Sequence, residues 1–219
     1  RNRAIYRCPQ TDERGLIMEP FKTFAAVGVP IDIANCDTDQ IIPARFLRRT
    51  KTDPDYPRFL MHDLRFNSDG SENNFIYNHA PYCDAKIIVT DINWGCGSSR
   101  ENAVGVLVAN GIRAVIAPSF GDIHYNNCIK NAVLPIQLSS DDCETLRRQL
   151  HEGPGGEIAI DLETQSLTGP DQSAYTFEID AFDKHRLLNG LDDVQVTMEF
   201  DERISAFEAE HQARHDWAF

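Results

Sequence analysis

The sequence is expected to fold as an α/β protein. A mainly parallel sheet with helices lies in residues 86–152, and a smaller second sheet is drawn from the two ends of the chain. Two observations carry this. Between Lys86 and His151, short β-branched apolar runs alternate with helical stretches, as parallel β-α-β units require. After Gly153-Pro154-Gly155-Gly156 the pattern changes to short segments of alternating polarity.

Residues 1–17 hold four Arg, one Asp and one Glu and have no apolar segment of the secretory type. They read as a mobile N-terminal extension before a single domain spanning 18–219. Phe21–Ile31 reads as strand then turn. In Asn35–Leu47, Asp37 and Asp39 fit turn residues whose side chains bond local N–H groups; alternatively they point into a polar site. Residues 48–80 are polar and carry Pro54, Pro57, Gly70 and Asn73-Asn74. They read as a long loop with one short helix near Pro57–Leu64, and its motion would be a natural way to close over a substrate.

Lys86–Thr90 is a β-branched apolar run of strand type, and Ala103–Gly111 reads as a buried helix ending at a glycine. Between them, Asp91-Ile92-Asn93-Trp94-Gly95-Cys96-Gly97-Ser98-Ser99-Arg100-Glu101-Asn102 forms a glycine-rich turn. Its glycines let the backbone turn tightly and come close to a ligand. Ser98 or Ser99 stands where an N-cap belongs. The helix's free N–H groups and the positive end of its dipole make the turn an anion site. Arg100 adds a fork that can grip a carboxylate in two places. A plain strand-to-helix turn with a serine cap and a surface arginine is the simpler alternative. The chain has neither G-x-x-x-x-G-K-[ST] nor G-x-G-x-x-G.

Further on, Arg113–Pro118 is a buried strand, and Ser119 is expected to cap a helix to about Ala132. Leu134–Leu138 is a strand, and Ser139-Ser140 cap a helix to His151. Glu157–Glu163 and Ala174–Ile179 read as half-buried strands around a Gly169-Pro170 turn. Ala181–Asn189 is helical and stops at Gly190, with His185 and Arg186 in surface or capping roles. Two short helices fill 191–212.

With 219 residues the chain can bury a sizeable core. No apolar run approaches the about 18 residues of a membrane span. A net charge of −13 argues against nucleic acid as a partner. The six cysteines, Cys8, Cys36, Cys83, Cys96, Cys128 and Cys143, are scattered singly, so reduced thiols in a cytoplasmic protein are expected. No local cysteine motif is present that would hold an iron–sulfur cluster.

Gly97-Ser98-Ser99-Arg100-Glu101 resembles the G-S-S-R-E signature of the aconitase superfamily. The wider Asn93–Glu101 resembles the N-[FW]-G-C-G-S-S-R-E form of the isopropylmalate dehydratase small-subunit family. Three further stretches are similar in the same order: Asp37–Leu47 (D-T-D-x-I-[IL]-P-x-x-[FY]-L), Ala117–Ile123 (A-P-S-F-[AG]-D-I), and Ile179–Phe182 with Asn189–Asp192 (I-D-x-F…N-G-L-D). The resemblance covers about residues 18–210. It departs at Asn102, where the family usually has His.

The resemblance implies a swivelling β/β/α three-layer domain. It implies Ser98 as the catalytic base, with Ser99 and Arg100 holding a substrate carboxylate. It also places Asp37, Thr38 and Asp39 at the substrate, with Phe46, Leu47 and Arg48 facing its side chain. The chain is then half of a hydro-lyase site. A large subunit carrying a [4Fe–4S] cluster completes it as a heterodimer, and this chain holds no cofactor or metal.

The residues suit that chemistry. Dehydrating a hydroxy acid needs a base for a proton beside a carboxylate and positive groups for the developing charge. A serine serves as base only if helix-end N–H groups and an arginine stabilise its alkoxide. The implied reaction interconverts 2-isopropylmalate and 3-isopropylmalate through the unsaturated diacid, a step of leucine biosynthesis. The alternatives are a related hydro-lyase acting on homoaconitate, methylmalate or a dimethyl analogue, and a non-catalytic anion binder.

Overall fold

The computed structural model describes residues 19–98 and 100–215. The extension expected at 1–17 and the side chain of Ser99 lie outside the described residues.

Seven strands lie in the order β4-β3-β2-β1-β5-β6-β7. The long first strand, β1 (Thr23–Ile31), belongs to both halves. Its second half pairs in parallel with β2 (Ile87–Thr90), from Gly28↔Ile87 to Ile31↔Thr90. Its first half pairs antiparallel with β5 (Glu157–Asp161), from Thr23↔Asp161 to Val27↔Glu157. β3 (Ala114–Ala117) and β4 (Leu134–Gln137) continue the parallel half. β6 (Ser166–Thr168) and β7 (Ala174–Thr176) continue the antiparallel half. A mainly parallel sheet and a smaller sheet from the two chain ends are therefore both present, joined through β1. The sequence reading missed β6, a strand of only three residues.

The parallel strands are buried on both faces, which explains their unbroken apolar runs. On one face Ile31, Ile88, Val115 and Ala117 pack with Val104 and Leu107 of α3 (Glu101–Ala109). On the other, Ile87, Val89, Ala114, Ile116 and Ile136 pack with Cys143, Leu146 and Leu150 of α5 (Ser140–Glu152). β5 alternates, with Ile158 and Ile160 buried, so it presents one face to this second core.

The irregular stretch after β1 differs from expectation. The short helix α1 (Thr38–Ile41) is followed by a 3-10 turn at Ala44–Phe46, another at Tyr56–Phe59 and the helix α2 (His62–Arg65). Tyr56, Leu60, Met61 and Tyr77 are buried in the first core. Much of 48–80 is thus a packed insertion rather than a free lid. Its apolar residues lack helical or strand periodicity, which is why they read as loop.

Two expected caps are also corrected. The N-cap of α3 is Arg100, in extended conformation and without a side-chain cap bond, rather than Ser98 or Ser99. The N-cap of α4 (Asp122–Lys130) is Gly121 rather than Ser119. In contrast, Ser139 caps α5, its Oγ accepting from the Asp142 N–H at 3.1 Å. α6 (Ala181–Asn189) stops at Gly190, whose φ of 63° is the left-handed conformation that favours glycine. α7 (Asp193–Met198) and α8 (Asp201–Arg214) follow. Arg186 is buried, not superficial, and pairs with Asp193 at 2.7 Å.

Candidate active site

Three loops leave the carboxyl ends of β1, β2 and β3 and run side by side, where an open α/β sheet places its ligands. The Asn35 N–H donates to the Ile92 carbonyl at 2.8 Å, and the Gly95 N–H to that of Cys36 at 2.8 Å. On the other flank the Trp94 N–H donates to the Ser119 carbonyl at 3.0 Å, and the Gly121 N–H to that of Trp94 at 2.9 Å. Parallel bridges at Asp37↔Cys96 and Trp94↔Phe120 extend the sheet into the loops. Ser119 is used here: its Oγ accepts from the Asn93 N–H at 2.9 Å.

Glycine is required at two points of the central loop. Gly95 has φ of 70°, and a Cβ there would stand 2.3 Å from the ring of His124. Gly97 has φ of 83°, and a Cβ there would meet only Asp37 Cβ at an ordinary 3.7 Å, so only its conformation demands glycine. Arg100 is extended and leads into α3, where the Ala103 N–H donates to the Arg100 carbonyl at 3.0 Å. The N–H groups of Glu101 and Asn102 precede that bond, so the positive end of α3 lies at Arg100.

Ser98 is exposed at the tip of this loop. Its carbonyl accepts from Thr38 Oγ1 at 3.1 Å, and the Thr38 N–H donates to the Cys96 carbonyl at 3.1 Å. Thr38 is buried and ties α1 to the loop. Arg100 and Asp39 are exposed and 3.6 Å apart. Asp37 takes the local role: its Oδ1 accepts from the Gln40 N–H at 2.8 Å, and Gln40 Oε1 accepts from the Asp37 N–H at 2.9 Å, a capping box.

The structure thus brings Thr38 and Asp39 to Ser98 and Arg100, while Asp37 Oδ1 caps α1. The segment with Phe46, Leu47 and Arg48 lies along α3. Phe46 stacks on Phe59 with centroids 4.2 Å apart, and Arg48 is exposed. The Leu47 carbonyl accepts from Asn102 Nδ2 at 3.2 Å.

Two supports escaped the sequence reading. Arg147 of α5 donates from Nε to Asp32 at 2.9 Å and from Nη1 to the Thr90 carbonyl at 2.7 Å, and its Nη2 lies 3.5 Å from Asp91. It clamps the ends of β1 and β2, from which two of the site loops depart. His151 Nε2 stands 2.6 Å from the other oxygen of Asp32. The second support is His124, fully buried beneath Gly95. Neither ring nitrogen has a hydrogen-bond partner among the described residues. Burial lowers its pKa to about 4, so the ring is neutral near pH 7. Nothing in the pattern of α4 distinguishes this residue from a solvent-facing one.

Among the described residues no group of three or more His, Cys, Asp or Glu stands together as a metal site. Cys36, Cys128 and Cys143 are buried, and burial raises their thiol pKa values, to about 12 for Cys36 and Cys143. The described thiols do not form a cluster site.

Fold and loops together define an aconitase-type swivelling domain. The family described as Aconitase C-terminal domain matches residues 18–141, and the LeuD family (LeuD_N) matches 144–181. The chain is 45% identical over 202 residues to a 3-isopropylmalate dehydratase small subunit of Rhizobium etli, covering 92% of this chain and all of that one. It is 45% identical over 201 residues to the small subunit of the same name from a Jannaschia species, covering 91% of this chain and all of the relative. A solved structure, the 3-isopropylmalate dehydratase (leuD) of Methanocaldococcus jannaschii, is 26% identical with a TM-score of 0.61, covering 84% of this chain and 98% of that one. The chain belongs to the 3-isopropylmalate dehydratase small-subunit family.

Proposed function

We propose that the chain is one half of a hydro-lyase that isomerises 2-isopropylmalate and 3-isopropylmalate in leucine biosynthesis, working in the cytoplasm with a large subunit. Residues 18–219 act as one domain in this reading. The observation that carries it is the exposure of Ser98 and Arg100 just before the first turn of α3, with Thr38 holding the Ser98 backbone.

Ser98 Oγ, as alkoxide, takes the proton from the carbon beside one carboxylate while hydroxide leaves the neighbouring carbon. Rehydration in the opposite sense returns that proton and places the hydroxyl on the other carbon. The helix end lowers the cost of the alkoxide. Ser99 and Arg100 hold a carboxylate. Asp39 pairs with Arg100 only at the surface, a contact worth at most about 1 kcal/mol, so a substrate carboxylate can replace it. Phe46 and Leu47 offer apolar surface to an isopropyl tail, and Arg48 a cation. The resemblance assigns the [4Fe–4S] cluster to the large subunit, where its open iron would act as Lewis acid toward the leaving hydroxyl.

The test is a substrate panel on the complex of the two chains. Isopropylmalate is expected to show the highest kcat/KM against homoaconitate, methylmalate and dimethylmalate. A clear preference for one of the others overturns the substrate assignment.

A further inference from the structure

Asn102, the position at which the chain departs from the resemblance, has a defined contact. It is the second residue of α3 and stands two positions after Arg100. Its Nδ2 donates to the carbonyl of Leu47, which closes the 3-10 turn holding Phe46. The segment that follows lies on the same helix turn. Lys51 Nζ is 3.4 Å from Glu101, and the buried Tyr56 hydroxyl donates to the Asn102 carbonyl at 3.4 Å. At Gly105 an added Cβ would stand 2.9 Å from that hydroxyl and 3.0 Å from Lys51 Cε, so the segment rests directly on the helix backbone.

We propose that Asn102 is a positioning residue that sets Phe46, Leu47 and Arg48 at a fixed distance from Ser98 and Arg100, and so helps select the substrate's side chain. The inference rests on the functional reading above. Its chemistry is simple. Arg100 grips the part common to all the hydroxy acids considered, whereas the 46–48 turn meets the part that differs. The amide at 102 is a direct side-chain link between the 46–48 turn and the start of α3. The position needs a donor one bond beyond Cγ. An imidazole Nδ1–H lies at that same bond distance, so the histidine usual in the family can make the same contact. A carboxylate there would face the Leu47 carbonyl with no proton to share.

The test uses the two-chain enzyme with 2-isopropylmalate and 2-methylmalate, which share both carboxylates and the hydroxyl and differ in the tail. For a poor substrate the inhibition constant replaces KM. Asn102→Asp is expected to raise KM for the isopropyl compound roughly three- to tenfold, the loss of one hydrogen bond. The methyl compound should change less than about twofold by the same measure, with kcat held for both. Asn102→His should restore the wild-type ratio. Equal effects on both compounds, or a loss in kcat alone, overturn the selective role. Hydrogen exchange of amides 44–50 in the single chain reads the tether without turnover. Faster exchange there in Asn102→Asp, with β2 and β3 unchanged, supports it, and unchanged exchange overturns it. A wild-type complex inactive on both compounds, with that faster exchange present, overturns the functional reading and leaves the tether standing.

Discussion

Gly95→Ala tests whether the central loop is built on His124. The residue sits at φ of 70°, where a side chain costs about 1–2 kcal/mol. The new methyl would also fall 2.3 Å from the buried His124 ring, far inside contact distance. Overpacking of a buried site costs about 1–3 kcal/mol, so the substitution should destabilise by about 2–5 kcal/mol. The methyl meets Cγ and Cδ2 at 2.3 Å and Cβ at 2.7 Å, so trimming the ring removes the two closest contacts and leaves the Cβ contact and the φ cost. Urea denaturation of wild type, Gly95→Ala, His124→Ala and the double variant closes a cycle. The double variant should be more stable than the sum of the two losses, by about 1–3 kcal/mol. Additive losses would show that the ring does not support the loop, and a loss under about 1 kcal/mol in Gly95→Ala would remove the conformational argument as well.

Two further outcomes follow from the same geometry. Ser98→Ala should lower turnover in the two-chain complex by orders of magnitude, while melting temperature and subunit pairing stay at wild-type values, because the side chain is exposed and among the described residues only its carbonyl is bonded. Near-normal activity would dismiss Ser98 as the base. His124 has a folded-state pKa of about 4 against an ordinary 6.5, so between those values the unfolded chain binds a proton that the folded chain does not. Its contribution is therefore complete above pH 6.5 and lost as the pH falls toward 4, a change of roughly 3 kcal/mol. In denaturation curves at pH 7 and pH 4, His124→Phe should lose less stability on acidification than wild type by that order, and parallel losses would contradict a buried neutral ring.

The strand–turn–helix at 87–109 was legible because each part is local: β-branched residues, two glycines, then a helical run. The capping role of Asp37 was equally local, since its partner is Gln40. Ser98 looked like a helix cap for the same local reason, yet its carbonyl is held by Thr38, 60 positions away, and the N-cap is Arg100. Distance in sequence also hid the Arg147 clamp, whose partners Asp32 and Thr90 lie 115 and 57 positions from it. Tyr56, Leu60 and Met61 were unreadable for another reason. They are packed by irregular turns, which impose no period on the sequence. Asn102 stood out only as a departure from the resembled motif, and its contact with Leu47 supplies the physical content.

In the proposed function this chain is half of a shared active site. Reconstitution with the iron–sulfur large subunit, under anaerobic conditions and with 2- or 3-isopropylmalate, tests it through the absorbance of the unsaturated intermediate. Signal from the mixture alone, with each chain silent by itself, is the expected result. Signal from either chain on its own, or none from a formed complex with an intact cluster, would contradict it.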